Sequence, residues 1–220
     1  RQLAANLYNF YAKSGNFSNL NLDNNTIKVL HVSDIHNNLA AFDLIKQVVK
    51  DFKVNFVVDT GDMTDLGTPF EAELVSRVKS IGRPYLYLGG NHDATEALAK
   101  LSAAAEITVI SQPKMVVKEG LKILALPDPA AVNLTAETVS GAELKSWQKT
   151  YSQLYQKTKV KPDIVLSHQL QLAKGLVGQA PLILVGHDHK PAIKISKRSI
   201  IVDAGTTGAA GIRGLETDSL

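Results

Sequence analysis

From Thr26 onward the chain alternates short apolar runs with longer stretches whose apolar residues recur at helical spacing. Ile27–Val32, Val54–Val58 and Tyr85–Leu88 read as strands, and Leu39–Phe52, Phe70–Ile81 and Ala94–Ala105 as helices. Strands and helices of these lengths in this order give βαβ units and a largely parallel sheet. The second half changes rhythm. Thr108–Ile110, Met115–Val117 and Ile123–Leu126 are short and closely spaced, which suits antiparallel or mixed pairs. A helix over Gly141–Tyr155 follows, built around Leu144, Trp147 and Leu154. Strands at Ile164–Leu166, Leu182–Val185, Ala192–Ile195 and Ile200–Val202 complete the set. Pro127, Pro129, Pro162 and Pro181 mark boundaries. No linker divides the two halves, so residues 26–220 read as one α/β domain, of a size that one core can support. Residues 1–25 differ. They hold seven asparagines, with Leu3, Leu7, Phe10 and Tyr11 at helical spacing, and read as a peripheral helix and an Asn-rich lead.

The polar residues at the strand ends change the picture. Asp34 and His36 follow the first strand, Asp62 follows the second, and Asn91 and His92 follow the third. Asp62 lies 28 residues after Asp34, and Asn91 lies 29 after Asp62, close to the ~30 residues of one βαβ unit. All five therefore fall at the carboxyl end of adjacent parallel strands, where open α/β sheets bind ligands. His168 follows Ile164–Leu166, and His187 and His189 follow Leu182–Val185. Five of the six histidines are placed in this way; His31, inside the first strand, reads as a core or inter-sheet residue. In Asp34-Ile35-His36 and His187-Asp188-His189, residues i and i+2 point the same way if the chain is extended, so each pair can reach one metal. Imidazoles mixed with carboxylates suit Mn²⁺, Fe, Zn²⁺ or Ni²⁺ better than Mg²⁺ or Ca²⁺. Seven candidate ligands exceed one four-coordinate ion and fit two ions that share a carboxylate.

Composition narrows the alternatives. There is no cysteine, which removes disulfides, thiolate metal sites and thiol nucleophiles. Apolar residues make up 45% and charged residues 20%, ordinary globular values, and no apolar run is long enough to span a membrane. A net charge of +3 argues for neither nucleic acid nor lipid as partner. Lys157, Lys159 and Lys161, and again Lys194, Lys197 and Arg198, read as solvated surface, with an anion-steering patch as the alternative. The start at Arg1 and the Asn-rich lead suit a soluble domain excised from a larger, membrane-tethered protein. Compartment and oligomeric state leave no signal.

Asp34-Ile35-His36, Gly61-Asp62, Gly90-Asn91-His92-Asp93, the lone His168 and Gly186-His187-Asp188-His189 resemble, in order, the five motifs of the calcineurin-like metallophosphoesterases. The resemblance covers roughly residues 30 to 190. It implies a four-layer α-β-β-α sandwich of two mixed sheets flanked by helices. It also implies that Asp34, His36 and His189 hold one divalent ion, that Asn91, His168 and His187 hold the other, and that Asp62 bridges them. His92 would face the substrate phosphate, and Asp93 would support it by hydrogen bonding. The implied activity is hydrolysis of a small phosphate ester. Two cations, Mn²⁺ or Fe first and Zn²⁺ or Ni²⁺ as alternatives, clamp the attacking and leaving oxygens and activate water.

The departures from the family are informative. Phosphoprotein phosphatases of the family carry an arginine within GDxxDRG and the motif GNHE; here Leu66 takes the arginine's place and Asp93 ends GNHD, as in phosphodiesterase-like branches. A nuclease should show a basic groove with interleaved aromatics, and aromatics are only 6%. The remaining alternatives are a hydrolase of nucleotide or lipid pyrophosphates and a non-catalytic scaffold of the same fold. The tail Asp203–Gly208 resembles the Gly-rich loop after the family's last strand and is a candidate lining of the site. Asn37 and Asn38 read as helix caps before substrate contacts, Asp59, Asp65 and Asp188 as turn or supporting residues, and Arg213 as surface or a phosphate contact.

Overall fold

The computed structural model describes residues 26–103, 106–131 and 137–208. The helix expected within residues 1–25 and Arg213 lie outside the described residues.

Strands β1 (Val29–Val32), β2 (Phe56–Asp59), β3 (Tyr85–Leu88) and β4 (Ile107–Ile110) form a sheet in that order, each neighbouring pair parallel. β2 and β3 are buried along their whole length, which is why they read as unbroken apolar runs. Helix α1 (Leu39–Phe52) starts where the Asn38 side chain accepts from the Ala40 N–H at 3.0 Å, and it buries Ala41, Phe42, Ile45 and Val49. Helix α2 (Pro69–Leu74) passes into a 3₁₀ stretch, Val75–Ile81, so the single helix expected over 70–81 is split. Two valines, two serines and Ile81 make up most of that stretch and favour the α-helix least among its residues. Helix α3 (Thr95–Ser102) leads to β4. That strand, expected among antiparallel or mixed pairs, lies parallel to β3, because β3–α3–β4 is one more crossover.

The chain then enters the second sheet: β5 (Lys114–Lys118), β6 (Leu121–Leu126), helix α4 (Gly141–Lys157), β7 (Ile164–Ser167), β8 (Leu182–Val185), β9 (Ala192–Ser196) and β10 (Ser199–Asp203). The order is β5-β6-β7-β8-β10-β9, with antiparallel pairs at the two edges and parallel pairs between them. Three apolar layers hold the molecule together. One packs α1 and α3 on the first sheet, one lies between the sheets around Phe56, Leu88, Ile123 and Leu166, and one packs Tyr151 and Tyr155 of α4 on the second sheet. The result is the four-layer α-β-β-α sandwich. Among the described residues no helix is long and apolar enough to cross a membrane.

The carboxyl ends of β1–β3 meet those of β7, β8 and β10 at one rim. The backbone stitches the rim together: Asp34 N donates to the Gly61 carbonyl at 2.8 Å, Gly186 N to that of His168 at 2.9 Å, and Thr207 N to that of Ser33 at 2.9 Å.

Candidate metal centre

Every residue singled out at the strand ends reaches this rim. Asp34, His36 and His189 place ligand atoms within 4.8 Å of one another, and so do Asp62, His168 and His187. In the first group His36 Nε2 stands 3.2 Å from His189 Nε2, and His189 Nε2 stands 3.2 Å from Asp34 Oδ1. In the second, His187 Nδ1 is 3.2 Å from His168 Nε2, which is 3.3 Å from Asp62 Oδ2 and 3.0 Å from Asn91 Oδ1. Asp62 Oδ2 also lies 3.9 Å from His36 Nε2, so this one oxygen sits between the groups.

The extended-chain expectation for the two Asp/His-x-His pairs does not hold. Asp34, His36, Asp62, His187 and His189 all have φ between 48° and 79°. Left-handed backbone is costly for non-glycine residues and concentrates at functional sites. The turn at His187 and His189 sends the two rings to different groups, whereas Asp34 and His36 share one.

Contacts away from the centre orient the His168 and His36 rings. The Thr60 carbonyl, 2.8 Å from His168 Nδ1, can only accept, so Nδ1 carries a proton and Nε2 is the atom turned inward. Asp65 Oδ1 stands 3.1 Å from His36 Nδ1, an ion-pair contact on the outer side of that ring. Asp65 is ordered in turn by Asn37 Nδ2 at 2.9 Å, and Glu71 accepts from the Asp65, Leu66 and Thr68 backbone N–H groups. The Thr68-Pro69-Phe70-Glu71 segment is a capping box, a sequence signal that was available for Glu71.

One expected contact is absent in the form anticipated. Asp93 does not support the His92 ring. Its carboxylate turns into the loop and accepts from Asp62 N at 2.7 Å, Gly90 N at 2.9 Å and Thr64 N and Oγ1 at 3.1 and 2.9 Å. These donors occupy its lone pairs, and the His92 ring is held instead by the Asp65 carbonyl, 2.6 Å from Nδ1. The glycines of three motifs divide the work. Gly61 has φ +115°, but Gly90 and Gly186 clear space: a Cβ at Gly90 would fall 2.2 Å from Asp62 Oδ1, and one at Gly186 2.5 Å from Asp34 Oδ2.

The charge balance at the rim follows from burial and proximity. Burial opposes charge on Asp34, but hydrogen bonds from His189 and His36 and the charge of His168 hold its carboxyl well below the usual range. Burial likewise disfavours charge on His36, yet Asp34 and Asp65 raise it to about 9. His168 is raised well above its ordinary value, against burial, by Asp62. Burial and the His168 charge lower His187 to about 4. Protons thus gather where carboxylates and imidazoles converge, and divalent cations binding there would displace them. The donors fit such ions. Asp34 Oδ1 is buried beside the Nε2 atoms of His189 and His36, 3.2 and 3.8 Å away, and two nitrogens bound at ~2.1 Å to one ion stand roughly 3 Å apart, close to the separation of both ring pairs.

The neighbours complete the description. His31 hydrogen bonds Thr60 Oγ1 at 3.1 Å, and burial, opposed by Asp34, lowers it to about 4, a neutral structural histidine. Asp59 is structural as well: Tyr85 donates to Oδ2 at 2.6 Å and Gly61 N to Oδ1 at 3.0 Å, all buried. Tyr85→Phe leaves that oxygen without its donor, at a cost of about 1–3 kcal/mol, and should lower the thermal midpoint by roughly 3–10 °C. A calorimetric midpoint unchanged within a degree would show that the bond carries no stability. The Asp203–Gly208 loop does line the rim, with Thr206 Oγ1 donating to the Asp34 carbonyl at 2.8 Å and Ser33 N to Thr207 Oγ1 at 3.1 Å. Asp128, buried and bound by Gln169 Nε2 at 2.6 Å, was not foreseen; between two prolines it reads only as a boundary.

The family model of the calcineurin-like phosphoesterases matches residues 27–191. No curated protein sequence matches the chain. Among solved structures, TT1561 of Thermus thermophilus superposes with a TM-score of 0.63 at 15% identity, covering 83% of this chain and 91% of that one. A phosphopantetheinyl hydrolase of Mycobacterium tuberculosis gives 0.53 at 12% identity, covering 82% and 90%. An archaeal phosphodiesterase gives 0.50 at 13% identity, covering 85% and 88%.

Proposed function

Because the chain belongs to the calcineurin-like phosphoesterases and is a metal-dependent phosphoesterase, we propose that its two ligand groups each hold one divalent transition ion, share Asp62, and serve hydrolysis of phosphate diesters. The observation that carries this reading is Asp62 Oδ2, which lies within 4 Å of an imidazole from each group. Asp34, His36 and His189 would hold one ion, and Asn91, His168 and His187 the other. When bound, the pair supplies charge neutralisation at the phosphate oxygens and acidifies water.

The remaining steps belong to the protein. Asp34 and Asp62 supply buried negative charge to hold the cations. Asp65 and the Thr60 carbonyl, on the outer sides of the His36 and His168 rings, orient them so that each Nε2 faces the ligand groups. His92 belongs to neither group; its Nδ1 is engaged by Asp65, and protonated Nε2 can donate to the leaving oxygen. The oxygen of water bonds to phosphorus and gives up one proton to solvent, the ester P–O bond breaks, and the alcohol departs with the proton from His92. Leu66, 51% exposed where the family's phosphoprotein phosphatases place an arginine, supplies no guanidinium to clamp a phosphomonoester dianion, which favours diesters.

The test is a panel of mono-, di- and pyrophosphate esters run with Mn²⁺, Fe²⁺, Ni²⁺ and Zn²⁺, alongside elemental analysis. Two ions per chain and the highest kcat/KM on diesters are expected. Metal content that levels off at one ion would overturn the paired arrangement, and a monoester optimum would overturn the diester assignment.

A further inference from the structure

A groove of about 680 Å³ opens at His187 and runs along the outer face of the six-stranded sheet. Its origin is topological. α4 and the 3₁₀ turn Lys174–Leu176 pack on β6, β7, β8 and Ile201 of β10, and no residue of β9 joins that core. The edge strand is left as a free wall facing the segment that follows His168. Along β9, Ala192, Lys194 and Ser196 alternate onto the groove side, Lys194 opposite Ile201. Val185 and Ile201 give the groove an apolar floor.

Four lysines line its walls: Lys174 on one side, and Lys190, Lys194 and Lys197 on the other. All four are exposed, and among the described residues none of their ammonium groups is paired with a carboxylate. Lys197 lies on left-handed backbone, φ 55°, with its stem across Gly178, where a Cβ would come within 2.7 Å of Lys197 Cδ. Arg198, next in the chain, does not line the groove. Lysines spread over a convex surface would be solvated and anonymous. Here the charges converge on a concavity that starts at a candidate metal ligand. Asp188 and Asp203 stand at the inner end, beside His187, and disfavour a second anion there. A strand rises about 3.3 Å per residue, which sets Lys194 roughly 7 Å beyond Ala192.

Resting on the phosphoesterase reading, we propose that this groove selects substrates whose alcohol portion is elongated, apolar in its middle, and ends in a second phosphate held by Lys174 and Lys194. The scissile phosphate sits at the rim, the apolar stretch lies over Val185 and Ile201, and the distal phosphate meets the lysines. Such contacts at exposed ammonium groups are individually modest and weaken with salt.

Calorimetry of the Mn²⁺-supplied protein with hexane-1,6-diyl bisphosphate and with hexyl phosphate tests the assignment without turnover. The bisphosphate should bind at least about fivefold more tightly, and the preference should shrink to within about twofold in Lys174→Gln/Lys194→Gln. Equal affinities in the wild type, or a preference that survives both substitutions, would overturn the proposal. Hydrolysis of bis(4-nitrophenyl) phosphate, which lacks a second phosphate, reads the metal centre separately. Turnover without bisphosphate preference removes the groove's role and keeps the phosphoesterase; preference without turnover does the reverse.

Discussion

Asp62→Asn should lower kcat at least about 10³-fold, on the scale of losing a principal electrostatic contact to the transition state, and should leave fewer than two ions per chain. The carboxylate has two separate duties. Oδ1 accepts from His92 N at 2.9 Å and so fixes the loop that carries Asn91 and His92. Oδ2 lies between the two ligand groups, 3.3 Å from His168 Nε2 and 3.9 Å from His36 Nε2. Asparagine keeps the size but removes the charge and presents N–H donors where one of those oxygens stood. A cation pair sharing one neutral oxygen is poorly shielded from its own repulsion, so occupancy of at least one position should fall. Elemental analysis on reconstituted protein, with kcat measured on the same samples, decides the matter. Two ions retained with activity within tenfold of the parent would remove Asp62 from the bridging position. The comparison with Tyr85→Phe separates this from general loosening, because that substitution strikes elsewhere in the same buried rim and should cost stability while sparing metal content.

Much of the rim was legible because strand-end chemistry is local. A polar residue just after a buried apolar strand has one place to go, and spacing near 30 residues puts successive strand ends side by side. Asp34, Asp62 and Asn91 are therefore placed by counting alone. The division of His187 and His189 between two groups was not legible in the same way, because left-handed backbone at both residues replaces the extended geometry that the alternation assumes. The family resemblance, not the periodicity, carried that division. Asp93 was misread for a related reason: adjacency to His92 in sequence suggested a contact, but the tight turn sends its carboxylate back to Asp62 N and Gly90 N.

The supporting partners of the site lay further out of reach. The Thr60 carbonyl positions His168 across 108 residues, and no side-chain pattern marks a backbone acceptor. The direction of β4 was left open because a four-residue strand, Ile107–Ile110, gives no direction of its own; only the crossover through α3 fixes it as parallel. The groove beside β9 needed the fold as well. Lys174 and Lys194 are twenty positions apart, and only the edge position of β9, uncovered by α4, brings them to opposite walls of one concavity.

His92→Ala should reduce kcat by about 10²–10⁴ on alkyl diesters while both ions remain. The ring is held from behind by the Asp65 carbonyl at Nδ1, and its Nε2 lies 3.9 Å from Asp62 Oδ2, outside both ligand groups. It stands edge-on to His36 with centroids 5.2 Å apart, close enough to the centre to meet a phosphate seated there. Because Nδ1 faces a carbonyl and must carry a proton, the proton that can be given away is the one on Nε2. That role has a signature that a structural role lacks. An alkoxide needs protonation as it leaves and a nitrophenolate hardly does, so the loss should be much larger for alkyl esters than for 4-nitrophenyl esters. The main-chain bond from His92 N to Asp62 Oδ1 survives the substitution, which is why the metals should stay. Equal losses on both leaving groups would leave His92 as a phosphate-binding residue that donates no proton, and loss of an ion in the variant would make it a ligand.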